Sequence, residues 1–121
     1  MRDFTVTVAI SACFAAAGCH SALISATISN HTATPVAVVE LDYPSASFGI
    51  QKLAPGEDYH YRFKVIGSGP TALLWTDGAN HEHKNPGPAL RDGDEGTLTV
   101  TLTNEQKPTW DVRLKNRAIA P

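Results

Sequence analysis

The sequence predicts an all-β protein, an antiparallel β-sandwich of about seven short strands. Three observations carry this. Apolar and polar residues alternate with a period of two along most of the chain after residue 20. Clusters of Gly, Pro, Asn and Asp separate the alternating runs. No segment in that region shows the apolar stripe of an amphipathic helix.

The elements follow in order. Ile24, Ala26 and Ile28 alternate with Ser25, Thr27 and Ser29, the pattern of a half-buried strand. Asn30-His31-Thr32 through Pro35 breaks it. A second strand runs from Val36 to Tyr43, with Val36, Val38 and Glu40 expected on one face and Ala37, Val39, Leu41 and Tyr43 on the other. Pro44-Ser45 ends it, and Ser47 to Leu53 leads to the turn Ala54-Pro55-Gly56, where Pro fixes φ and Gly accepts a positive one. The clearest strand is next, with Tyr59, Tyr61, Phe63 and Val65 on one side and His60, Arg62 and Lys64 on the other. Gly67-Ser68-Gly69-Pro70 stops it, and Thr71 to Thr76 forms a shorter run around Leu73, Leu74 and Trp75. Asp77 to Pro88 reads as a polar loop, and Asp92 to Gly96 as a turn. Leu98, Val100 and Leu102 then alternate with threonines, and after Lys107-Pro108 a last strand holds Trp110, Val112 and Leu114. Both tryptophans are expected in the core, and Arg113, Lys115 and Arg117 on a solvated strand face.

The segment Leu53-Ala54-Pro55-Gly56-Glu57-Asp58-Tyr59-His60-Tyr61-Arg62-Phe63 resembles the turn-and-strand motif of fibronectin type III and related immunoglobulin-like domains. The resemblance implies an immunoglobulin-like β-sandwich. It also implies that Leu53 plugs one end of the core and that Tyr59 closes a tyrosine corner through its hydroxyl. Roughly fifty residues follow the motif rather than a single strand, so it carries the architecture and not the exact topology.

The first twenty residues are of a different kind. Arg2 gives a positive start, Phe4 to Ala17 form an apolar run, and Ala16-Ala17-Gly18 put small residues before Cys19. This resembles the lipobox of bacterial lipoproteins. It implies a signal peptide over residues 1–18, cleaved from a single β-sandwich domain over residues 19–121 whose N-terminal Cys19 carries lipid such as palmitate. An ordinary signal peptide cut near Ala15-Ala16-Ala17, leaving Cys19 a free thiol, is the alternative. The apolar run is shorter than the about 20 residues a membrane span needs. Cys13 is the other cysteine and lies in the discarded segment, so the mature chain has no partner for an internal disulfide.

Composition excludes several functions. The chain has 121 residues, 42% hydrophobic, with a formal net charge of -2 and no run of Lys or Arg, so no nucleic-acid partner is expected. No G-x-S-x-G elbow occurs, and Gly67-Ser68-Gly69-Pro70 lacks the Lys and helix of a phosphate loop. The carboxylate pairs Glu57-Asp58 and Asp94-Glu95 fall in turns, where such groups are usually solvated. Catalysis is therefore not expected.

One cluster bears on ligand binding: Asp77-Gly78-Ala79-Asn80-His81-Glu82-His83. His81 and His83, at i and i+2, share one side of an extended segment, with Asp77 beside them. Imidazole nitrogens suit zinc or copper, and zinc also takes carboxylate oxygen. His60 adds a third ligand if the fold brings it near. Asn30-His31-Thr32 fits a glycosylation triplet, which carries no meaning in a bacterial lipoprotein.

The expected function is thus a lipid-anchored module of the bacterial cell envelope, periplasmic or surface-facing. It would contact the membrane through its lipid and a protein or glycan partner through its surface. The alternative is a periplasmic metal-binding module using Asp77, His81 and His83 for zinc or copper.

Overall fold

Alternating sequence becomes two stacked sheets in the computed structural model, which describes residues 21–104, 107–115 and 117–118. Residues 1–18, read from the sequence as a signal peptide, and Cys19 lie outside the described residues. The strands are β1 (Ile24–Asn30), β2 (Val36–Tyr43), β3 (Ala46–Leu53), β4 (Asp58–Phe63), β5 (Ala72–Thr76), β6 (Glu82–Pro86), β7 (Gly96–Leu102), β8 (Thr109–Leu114) and the short β9 (Arg117–Ala118). One sheet has the order β4-β1-β7-β8-β9, the other β3-β2-β5-β6. The protein is an all-β antiparallel sandwich. Among the described residues one parallel pair occurs, β1 with β7, in continuous register from Ile24↔Gly96 to Asn30↔Leu102. Parallel neighbours require a long crossover, and here the whole second sheet is built between the two strands.

The core is the sum of the inward-facing positions. Ile24, Ala26 and Ile28 meet Leu98, Val100 and Leu102 from one sheet, and Val36, Val39, Leu41, Leu53, Leu73 and Trp75 from the other. Each fully buried Val, Leu or Ile of this set contributes about 1.5–3 kcal/mol by leaving water. Leu53 is fully buried, as the turn motif implies.

In β2 the expected alternation is corrected. Between Ala37 and Glu40 the strand carries one residue more than β5 opposite, a β-bulge. Val38 sits at the extra position with φ 48° and is 56% exposed. The bulge shifts the phase, so Val36, Val39 and Leu41 all face the core.

Aromatic side chains close the two open sides of the sandwich. On one side, Tyr43 stacks on Phe63 at 3.9 Å between ring centroids, and Phe48 stacks on Tyr61 at 4.4 Å, linking β2 and β3 to β4. On the other, the Trp110 indole N–H of β8 donates to Asn85 Oδ1 of β6 at 2.9 Å. The Trp110 ring covers Gly87 so closely that an added Cβ would lie 2.6 Å from it. Trp75 is buried as expected, whereas Trp110 is only half-buried. Tyr59 packs half-buried against the core, but its hydroxyl makes no hydrogen bond among the described residues, so the hydrogen-bonded corner expected from the turn motif is not formed there.

Candidate functional site

The segment after β5 is not a plain loop. Asp77 to His81 makes a tight connection, and Glu82–Pro86 returns as strand β6 along β5, with His83 opposite Trp75. The sequence Asp-Gly-Ala-Asn dictates the turn. Asp77 Oδ1 accepts the amides of Ala79 and His81, both at 2.9 Å, while Asn80 takes φ 67°, a conformation Asn tolerates. Backbone bonds from Asp77 N to His81 O and from Asn80 N to Asp77 O complete it. His83 shares the inner face of the sheet with Trp75, and its half-exposed ring lies flat on the indole, 5.0 Å between centroids and 14° from parallel. From there its Nε2–H donates to Asp77 Oδ2 at 2.7 Å.

The Asp77 carboxylate thus accepts hydrogen bonds at both oxygens. The His83 hydrogen bond, then the His81 and Ala79 amides, lower its pKa to about 2, against a smaller opposing effect of burial. His81, by contrast, is 76% exposed, its Nδ1 3.9 Å from Asp77 Oδ2. The fold therefore joins Asp77 and His83 and leaves His81 at the rim. His60 does not join them: it lies on β4 in the other sheet, where its Nδ1 is 3.0 Å from Thr27 Oγ1. Among the described residues no three His, Cys, Asp or Glu side chains are arranged to hold a metal ion.

Around this pair the structure opens a cleft of about 630 Å³. Trp75 and Val36 form its apolar floor, and Asp77, His81, His83, Thr32, Thr34 and Asn104 its polar walls. The walls come from three separate connections. Asn104 Oδ1 accepts the Ala33 amide at 3.2 Å, tying the segment after β7 to the segment after β1. The Thr32–Thr34 wall is held from beneath by Asn30, which is 0% exposed. Its Nδ2 donates to Leu53 O at 2.9 Å and Thr34 O at 3.0 Å, and its Oδ1 accepts from Thr32 N and Thr32 Oγ1. Asn30 is therefore a buried structural hub, which the glycosylation triplet did not signal. A short polar side chain ending an apolar strand, followed by Thr-x-Thr, was the available clue.

The cleft lies at the Asn30 end of β1, and Leu23 enters at the other end beside Gly96. The seven residues of the strand separate them. At about 3.3 Å per residue the separation is roughly 20 Å.

One carboxylate of each pair read in the turns serves its turn, while Glu95 pairs with Lys115 at 3.1 Å and Asp58 begins β4. Glu57 Oε1 accepts the Ala54 amide and Asp94 Oδ2 the Arg91 amide. A pair that the sequence reading missed is Glu40 and Asp42, two apart on β2. The hydrogen bond and charge of Asp42 push the Glu40 carboxyl up from its ordinary value.

No protein-family model and no curated relative matches the chain. Among solved structures it is similar to the NMR structure of a protein from Eubacterium rectale, with a TM-score of 0.54 over 78% of this chain and 91% of that one. Identity is 9%, so the likeness is one of fold. It supports the two-sheet architecture and carries no chemistry.

Proposed function

We propose that this protein is a lipid-anchored, non-catalytic binding module of the bacterial cell envelope, tethered through Cys19 and offering the Asp77–His83 cleft to a protein or glycan partner. One observation carries the reading: the cleft opens at the end of β1 opposite to Leu23, hence away from a tether at Cys19. An apolar floor under hydroxyl, amide and carboxylate walls suits a polar ligand held by a few directed hydrogen bonds. Glu57 and Asp94 are engaged by backbone amides of their turns, which favours a structural role for these two carboxylates.

Metabolic labelling with a fatty-acid analogue tests the tether. The wild type is expected to take up label and to fractionate with membranes, and Cys19→Ala to lose both; an unlabelled, soluble wild type overturns the anchor. Capture from native envelope extract tests the cleft. His81→Ala/Asn104→Ala is expected to lose the partner that the wild type retains, and equal capture by both overturns the cleft as the binding surface.

The metal reading keeps one observation in its favour, the convergence of His83 and, more distantly, His81 on Asp77 Oδ2. Zinc or copper bound there would displace the His83–Asp77 hydrogen bond and draw His81 inward, ordering an exposed side chain. Titration calorimetry with zinc and copper(II), beside His81→Ala/His83→Ala, decides it. Submicromolar binding abolished by the double substitution puts metal first, and weak binding unchanged by it removes metal.

A further inference from the structure

Strand β4 forms one edge of its sheet, paired to β1 on one side only. Asn30 N donates to Glu57 O at 3.1 Å, which sets the alternation of the β1–β4 ladder. In that register Tyr59, Tyr61 and Phe63 bond to Ile28, Ala26 and Ile24, and the amides and carbonyls of Asp58, His60 and Arg62 point away from β1. The pairing is regular through all six residues, with neither a bulge nor a proline to blunt the edge. Other edges differ: β6 ends in Pro86 and gives Asn85 to Trp110, and β3 carries the single charge Lys52.

The order of side chains on β4 is Asp58-Tyr59-His60-Tyr61-Arg62, self-complementary about its centre: like aromatics flank His60 and opposite charges stand at the ends. We infer that β4 is a self-association edge, and that a second copy of this chain pairs with it antiparallel about a two-fold axis at His60. In that register Asp58 of each copy lies opposite Arg62 of the other, and Tyr59 opposite Tyr61. The outward amides and carbonyls then exchange about six main-chain hydrogen bonds. Opposite charges facing across strands favour this register, and slippage in either direction separates them. Neither Asp58 nor Arg62 has an ion-pair partner among the described residues. Tyr61, 40% exposed beside Phe48, would be covered by the Tyr59 of the second copy. The bond to Thr27 holds the His60 ring over β1, off the edge. The contact joins two five-stranded sheets into one. It is small for a stable interface, so the dimer is weak and reversible.

Sedimentation equilibrium of the full chain in density-matched detergent tests this. The wild type is expected to show a reversible monomer–dimer equilibrium. Asp58→Arg and Arg62→Asp each place like charges opposite one another and are expected to weaken association about tenfold or more. An equimolar mixture of the two variants is expected to dimerise again, because each chain then meets opposite charges, and so is the double exchange Asp58→Arg/Arg62→Asp. Circular dichroism establishes that each exposed-site variant keeps the sandwich. A wild type monomeric up to its solubility limit overturns the inference, whether or not an extended peptide binds the edge. So does a dimer indifferent to the single substitutions, or a mixture no stronger than its components.

Discussion

Replacing Asn30 by Ala tests how the cleft wall is held. The side chain satisfies four polar groups: the carbonyls of Leu53 and Thr34, and the amide and hydroxyl of Thr32. Of these, the bond to Leu53 O is fully buried, so its loss strands a carbonyl that water cannot reach. Stranding a buried acceptor costs about 1–3 kcal/mol, and losing the partly exposed Thr32 amide bond about 0.5–1.5 kcal/mol. The Thr32 hydroxyl and the Thr34 carbonyl are 2.8 Å apart and can pair with each other, so they add little. The expected loss is about 1.5–4.5 kcal/mol in urea unfolding followed by tryptophan fluorescence, with an unchanged m-value. Asn30→Asp keeps the acceptor but turns both donations into carboxylate–carbonyl repulsion, and is expected to cost at least as much. Hydrogen exchange should quicken first at residues 32–34, the wall of the cleft. A loss below about 1 kcal/mol for both variants would refute the hub and mean that water replaces the amide.

Three further expectations rest on other contacts. Gly87→Ala drives a methyl into Trp110 and Thr71 and should cost about 1–3 kcal/mol, with a red-shifted Trp110 emission; an unchanged stability would mean that the edge strand simply moves. Asp77 binds its proton less readily when folded, with a pKa of about 2 against an ordinary 3.8. Its contribution is therefore complete above the unfolded value and lost as pH falls from about 4 through about 2. Asp77→Asn should flatten the acid-unfolding curve in that window, and parallel curves would exclude the Asp77 carboxylate as a source of the pH dependence. Tyr59→Ala should cost about 2 kcal/mol through lost packing, whereas Tyr59→Phe should cost less than about 0.5 kcal/mol because the hydroxyl has no described partner; a large effect of Tyr59→Phe would restore the hydrogen-bonded corner.

The sequence by itself determined the fold class, the turn at Ala54-Pro55-Gly56, and the inward faces of β1, β4 and β7. These follow from a side-chain period of two and from Pro and Gly dihedral limits, which are local. It also singled out Asp77, His81 and His83 by their residue types and spacing, while reading the whole of Asp77 to Pro88 as a loop. Three features needed the tertiary structure. The phase of β2 turns on Val38, a β-branched residue at positive φ that local preference disfavours and that only the sheet around it sustains. Strand β6, Glu-His-Lys-Asn-Pro, has no apolar alternation of its own and is strand because β5 supplies its ladder and Trp75 its stacking surface. The cleft walls Thr32–Thr34 and Asn104 stand about 70 residues apart in the chain and meet because β1 and β7 run parallel, bringing the ends of both strands to the same edge of the sandwich. Pairing between distant strands is decided by what the assembled sheets bury together, and no window of sequence contains both partners.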